Sequence, residues 1–186
     1  LTKRAEKLAQ RYGHNEKEIA FIGQQLKILN LNPVYHASGF DHPIVPVIID
    51  ITKQVHLFSW GLIPFWSKSA LEAMTISNST INARAESMFE KPAFRMPARE
   101  KRCLILIDGF FEHHHKNGKA FPYFIQLKND EPMCLAGLWD EWEDKDSGIV
   151  RRTYTVVTTR ANSMMSKIHN NPKASEGPRM PLILPK

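Results

Sequence analysis

The first regular hydrophobic pattern in the chain is Ala5, Leu8, Ala9 and Tyr12, separated by Lys, Glu, Arg and Gln and followed by Gly13. This spacing predicts one short amphipathic helix with a glycine stop. The period then shortens. Branched and aromatic residues over 44–51 and 54–62 flank the polar break Thr52-Lys53, which predicts a strand pair. "WGLIPFWSK", residues 60–68, is interrupted by Gly61 and Pro64 and reads as a loop carrying exposed aromatics. From Cys103 onward, apolar runs alternate with tight turns: "CLILIDGFFEH", Asn117-Gly118, "PYFIQL", Asn129-Asp130, "MCLAGLW", a polar turn over 144–148, and a strand over 153–159. Asn-Gly accepts the positive φ angles of a type I′ hairpin, so the strands around it should be antiparallel neighbours. A short helix over 162–168 and a final apolar segment, 182–184, close the pattern.

Strands joined this closely favour an antiparallel sheet over a doubly wound one. The expected fold is α+β: one domain over 1–186, mainly an antiparallel sheet curled into a partial barrel, with a few short helices. A length of 186 residues suits a single core. The chain opens on Leu1 without an initiator Met, so a few residues are expected ahead of it and some beyond Lys186.

Composition narrows the partners. With 42% hydrophobic and 24% charged residues the chain is globular, and no run approaches the ~20 apolar residues that cross a bilayer, so no membrane partner is expected. The net charge is +6, with Lys91, Arg95, Arg99, Lys101 and Arg102 clustered and Arg151 and Arg152 further on. This fits either a polyanion partner or a solvated basic face. Cys103 and Cys134 have apolar neighbours and form no CxxC pair. They read as buried core thiols of a reducing, cytoplasmic compartment.

"DGFFEHHHKNG", residues 108–118, raises the question of a metal site. In extended backbone Glu112 and His114 share one face while His113 and His115 take the other, so the histidines do not converge on one ion. They read as a solvated polar tip, and no metal or other cofactor is expected. Glu112, at the end of an apolar strand, is either a partly desolvated carboxylate able to exchange protons or one half of a structural salt bridge. His169 lies in the polar loop "MSKIHNNPKASEGPRMP" and is an acid/base candidate. In "INARAES", residues 81–87, Asn82, Arg84 and Glu86 would share a face if extended. Neither a Gly-x-Ser-x-Gly elbow nor a Gly-rich phosphate loop is present.

Taken together, "WGLIPFWSK", "INARAES", "RCLILIDGFFEH" with "PYFI", and "IHNNPKASEGPRMPLIL", in this order, resemble the SOS-response-associated peptidase (SRAP) family across most of the chain. The resemblance implies covalent crosslinking to abasic sites in single-stranded DNA. In that chemistry a cysteine at the mature N-terminus forms a Schiff base with the open sugar aldehyde, and its thiol then closes a thiazolidine. The same groups would process the initiator Met. By the same resemblance Asn82 orients the N-terminal residue or the sugar, Glu112 exchanges protons with the amine and the sugar oxygen, and His169 assists Schiff-base chemistry. Arg84 and Arg179 contact phosphates and Trp66 stacks or wedges, with Lys68, Arg95 and Arg99 extending the strand path. The protein is expected to act as a monomer, cytoplasmic and nucleoid-associated when bound to DNA.

The sequence departs from the family pattern in three places. The N-terminal cysteine is not among the 186 residues and is expected to precede Leu1. The run Ile-His-Asp-Arg-Met-Pro is interrupted between His169 and Arg179 by a stretch including Pro172, Gly177 and Pro178, which either recloses or displaces Arg179. "YHASGF", residues 35–40, replaces an Asn-Val-Ala-Pro-type stretch. A non-covalent single-stranded DNA-binding module and a metal hydrolase using Glu112, His113 and His169 stand as alternatives.

Overall fold

The computed structural model describes residues 34–49, 55–128, 131–171 and 177–185, with isolated positions 17, 20, 21 and 24. The expected first helix, the Thr52-Lys53 break, the Asn129-Asp130 turn and Pro172 lie outside the described residues. Among the described residues no helix is long and apolar enough to cross a membrane.

The fold is α+β and mostly strands. In chain order these are β1 (Ile44–Ile49), β2 (Val55–Trp60), helix α1 (Ala70–Ser79), β3 (Asn82–Arg84), helix α2 (Pro97–Glu100), β4 (Arg102–Ile107), β5 (Gly109–Lys116), β6 (Lys119–Gln126), β7 (Met133–Glu143), β8 (Val150–Arg160), helix α3 (Ser163–Ile168) and β9 (Arg179–Pro181). The main sheet runs β2-β1-β4-β7-β8-β3, and β9 adds to β8. β1 with β2 and β7 with β8 are the antiparallel neighbours expected from short connections, whereas β4 pairs antiparallel with β1 and β7 across intervening elements and β3 runs parallel to β8. A parallel pairing of β2 with β8, Ser59 opposite Thr153 and Trp60 opposite Tyr154, then joins the ends of a five-strand path into a barrel. Trp60 stacks on Tyr154 at that seam with ring centroids 6.1 Å apart.

Alternation along the strands divides the core in two. Val47, Phe58, Cys103, Ile105, Met133, Leu135, Tyr154 and Val156 fill the barrel. On the opposite faces of β7 and β8, Leu138 and Val157 pack with Leu62, Ala83, Phe94 and Ala98. Trp142 continues that outer face under α1, against Ile63 and Ala73. Residues two apart on one strand share a face, so β8 serves both cores at once. Each large side chain sequestered in this way contributes about 2–3 kcal/mol.

The sequence pattern did not predict α1. Its apolar positions are few and its C-terminal half reads Thr-Ile-Ser-Asn-Ser, yet Ser69 caps it by accepting from Glu72 N–H at 3.2 Å. Gly61 must be glycine: its φ is +105°, and a Cβ there would lie 2.6 Å from His42 Nδ1 and 2.8 Å from the Ser77 carbonyl oxygen. The β5–β6 hairpin turns through Asn117 (φ +52°) and Gly118 (φ +73°), as the Asn-Gly pair predicts. It forms a separate two-stranded sheet, with Phe110 packed against the barrel core.

Candidate active site

Glu112 sits mid-way along β5, opposite Tyr123 of β6. The hairpin begins at Gly109, where a Cβ would lie 2.5 Å from both the Ile125 carbonyl oxygen and Phe124 Cζ, so the glycine of Asp-Gly-Phe-Phe-Glu is required by close approach. His169 is the residue that ends α3. Its backbone N–H donates to the Met165 carbonyl at 2.8 Å, and α3 itself is capped by Asn162, whose side chain accepts from Met165 N–H at 2.9 Å.

These two residues meet. His169 Nδ1–H donates to Glu112 Oε2 at 3.0 Å, and both side chains are largely shielded, 25% and 19% exposed. The other carboxylate oxygen, Oε1, accepts from His113 N–H at 2.9 Å. A carboxylate only accepts, so the shared proton belongs on Nδ1. Nε2 is then an acceptor in the neutral ring and a donor in the imidazolium. The pair can therefore take a proton at Nε2 and return it while the carboxylate compensates the charge.

Residues 34–39 run beside Phe111, whose side chain lies on the face of β5 opposite that of Glu112. The ring of His36 packs on Phe111 at 5.8 Å. Three residues later Gly39 is buried so close to β3 that a Cβ would lie 2.4 Å from Ile81 Cγ2. Three residues of chain span at most about 11 Å. One short segment thus runs from the neighbour of Glu112 to the neighbour of Asn82. Asn82 itself is exposed on β3 beside Val156.

Asn82 and Arg84 share the exposed face of β3, as alternation predicts, but the chain turns after Arg84 and Glu86 does not continue that face. Instead Glu86 pairs with Arg179 at 2.7 Å, and the Arg179 hydrogen bond is the main cause holding its carboxyl below the ordinary value. Arg179 also donates to the Thr158 carbonyl at 2.9 Å and to Thr158 Oγ1 at 3.3 Å. Beyond the stretch that interrupts the family pattern, Ala161 N–H donates to the Pro178 carbonyl at 3.0 Å and Arg179 stands in sheet register opposite Arg160. Its guanidinium is held by Glu86 and Thr158.

Trp66 and Phe65 are exposed, 41% and 56%. The loop beneath them is clamped from β7 and β8. Ile63 N–H donates to Thr153 Oγ1 at 2.8 Å, Phe65 N–H to Asp140 Oδ2 at 3.0 Å, and Trp142 Nε1–H to the Ser67 carbonyl at 2.7 Å. Asp140 is 1% exposed and is paired with Lys101 at 2.6 Å. Lys101 therefore belongs to the scaffold and not to a free basic face, and Arg152 likewise pairs with Glu141 at 2.7 Å. Lys68, Arg95 and Arg99 are exposed.

The histidine run is only in part the solvated tip expected from sequence. His113 is exposed, but His114 Nδ1–H reaches the Lys167 and Ile168 carbonyls at 3.1 and 3.3 Å. His115 N–H donates to Asn170 Oδ1 at 2.6 Å while Asn170 Nδ2 donates to the His115 carbonyl at 2.8 Å. Sequence reasoning missed His114, Asn170 and Asp140. The placement of His114 on the face of Glu112 was a usable signal; for the other two there was none. Among the described residues no three His, Cys, Asp or Glu side chains gather as a metal-ligand set. Cys103 and Cys134 are both buried, and burial pushes the Cys103 thiol far up.

The model of the SOS response associated peptidase (SRAP) family matches residues 1–186. The chain belongs to the SRAP family. Among SRAP relatives, it is 40% identical over 164 residues to the abasic site processing protein YoqW of Bacillus subtilis, covering 88% of this chain and 67% of that protein. It is 31% identical over 144 residues to the abasic site processing protein HMCES of Gallus gallus, covering 67% of this chain and 40% of that one. A crystal structure of a Bacteroides thetaiotaomicron protein superposes with a TM-score of 0.80 at 37% identity, covering 98% of this chain and 74% of that one. This SRAP fold therefore has a close structural counterpart over nearly its whole length.

Proposed function

We propose that this protein captures abasic sites in single-stranded DNA as a covalent adduct, using the α-amine and thiol of a cysteine that precedes Leu1 as the mature N-terminal residue. The observation that carries the reading is the hydrogen bond between Glu112 and His169. The names of the relatives support handling of abasic-site DNA.

The chemistry balances without a redox partner. The neutral α-amine, with an ordinary pKa near 8, adds to the aldehyde carbon of the ring-opened sugar and gives a carbinolamine. Loss of one water leaves an imine. The adjacent thiol then adds its sulfur to the imine carbon and its proton reaches the imine nitrogen, closing a five-membered thiazolidine. Proton removal and proton delivery alternate along this path, which suits His169 backed by the Glu112 carboxylate. Asn82 orients the N-terminal residue or the sugar. Cys103 and Cys134 are buried within the chain, carry no free α-amine and take no part. The same thiol, Glu112 and His169 would release the initiator Met by hydrolysis of the Met–Cys peptide bond, in which one water supplies the new carboxyl of Met and the cysteine α-amine is set free.

Arg84 and Arg179 hold flanking phosphates, Trp66 stacks on or wedges between bases, and Lys68, Arg95 and Arg99 extend the path of the strand. In the free protein Glu86 occupies one side of the Arg179 fork, so a phosphate there shares or displaces that carboxylate. The protein acts as a monomer in the cytoplasm, joining the nucleoid when on DNA.

The deciding experiment incubates the protein carrying its native N-terminus, established by intact mass, with an abasic single-stranded oligonucleotide. An adduct that survives SDS and disappears when the first cysteine is replaced by Ala supports the reading. Binding that salt reverses completely, with no adduct, leaves a non-covalent single-stranded DNA-binding module instead.

A further inference from the structure

We infer that His114 is a positioning residue, which grips the C-terminal turn of α3 so that His169 stays on Glu112; the inference rests on the proposed role of that pair. Helix α3 has only six residues, Ser163–Ile168, and a helix this short has little stability of its own. Its last carbonyls lack partners within the helix. His114, two residues beyond Glu112 on the same face of β5, supplies one: Nδ1–H lies 3.1 Å from the Lys167 carbonyl and 3.3 Å from that of Ile168. Carbonyls only accept, so the proton is on Nδ1. Tyr123 of β6 meets the His114 ring edge-on at 5.9 Å and sets its plane.

The grip has a second point. Asn170 and the backbone of His115 exchange two hydrogen bonds, 2.6 and 2.8 Å, in the manner of one rung of a sheet. Residues 167, 168 and 170 are thereby tied to 114 and 115, and His169 lies between the ties. The barrel cores include none of these groups. Loosening the grip therefore frees the imidazole without unfolding the scaffold.

The test uses the protein with its native N-terminus and two substitutions. His114→Leu keeps bulk and removes the donor. His114→Asn keeps an N–H donor the same number of bonds from Cα as Nδ1. Two quantities are read: the single-turnover rate of adduct formation on abasic single-stranded DNA, and the tautomer of His169 from long-range imidazole nitrogen–proton NMR before DNA is added. His114→Leu should slow adduct formation by about 10-fold or more and mix the His169 tautomers, whereas His114→Asn stays within about threefold with Nδ1–H retained. A Leu variant with the parent rate and tautomer overturns the inference, and so does equal loss in the Leu and Asn variants. If the parent protein forms no adduct, it is the functional reading that fails, and the imidazole spectra alone then decide the grip. Should His114→Leu fail to fold, Asn170→Ala, which removes the second tie, carries the same two readouts.

Discussion

His169 and Glu112 lie 57 positions apart in the sequence and share one proton across 3.0 Å. The bond joins the β5–β6 hairpin to the end of α3, and neither Glu112 nor His169 belongs to a barrel core. Polar contacts of His113, His114 and Asn170 hold its two ends, which makes it sensitive to single polar substitutions.

Replacing Glu112 by Gln removes the charge that stabilises imidazolium while keeping the shape. Adduct formation should slow by roughly 10²-fold, the scale of a lost general acid–base partner. Quenched-flow or gel-shift timing under denaturing conditions measures it, and an undiminished rate removes Glu112 from the mechanism.

Asp140→Ala should destabilise the fold by about 3 kcal/mol in urea unfolding, because it strips the Lys101 ammonium of its buried partner and leaves the Phe65 N–H unpaired. The same change frees the loop carrying Trp66, so initial DNA binding should weaken as well. Trp66→Ala should weaken that binding while leaving the unfolding midpoint almost unmoved, because its ring is substantially exposed.

Gly61→Ala should cost about 2–3 kcal/mol, since φ +105° disfavours any Cβ and the space is already filled by His42 and the Ser77 carbonyl. A melting curve with little change from the parent would show that the turn tolerates a side chain.

Lys68→Ala and Arg95→Ala should each make the plot of log affinity against log salt shallower by about 0.7, if each side chain neutralises one phosphate of a single strand. Unchanged slopes would place both residues outside the DNA path.

The Arg179 hydrogen bond holds the Glu86 carboxyl below its ordinary value of 4.5. The sign follows from the direction: the contribution of this pair is complete above 4.5 and is lost as pH falls through the lower, folded value. Glu86 is well exposed, so the effect on global stability is small. A carbon-detected titration should give a Glu86 midpoint below 4.5 that Arg179→Ala returns towards 4.5; a midpoint insensitive to that change would mean the pair does not persist in solution.

Local pattern carried much of the architecture. Asn117-Gly118 marked the hairpin, alternation in 109–116 put Glu112 and His114 on one face, and the apolar runs from Cys103 marked the barrel strands. Helix α1 escaped notice because a capped helix on the outside of a barrel needs only a narrow apolar contact, here Ala73 beneath it. Lys101 looked like part of a basic surface because charge counts cannot reveal which lysine turns inward to a buried aspartate.

The sequence alone determined residue types and their local geometry: a carboxylate on a strand, an imidazole after a short helix, a Gly-bearing loop with paired aromatics, and a turn that must be a hairpin. These follow from backbone periodicity, which acts within a few residues. Only the tertiary structure decided the rest. It closed the barrel by the parallel β2–β8 seam, returned Arg179 to Glu86 after the interrupted loop, and brought His169 onto Glu112 with His114 holding the helix end. Each of those contacts joins residues far apart along the chain, and their pairing is set by packing and hydrogen-bond satisfaction of the whole molecule, for which no local pattern exists.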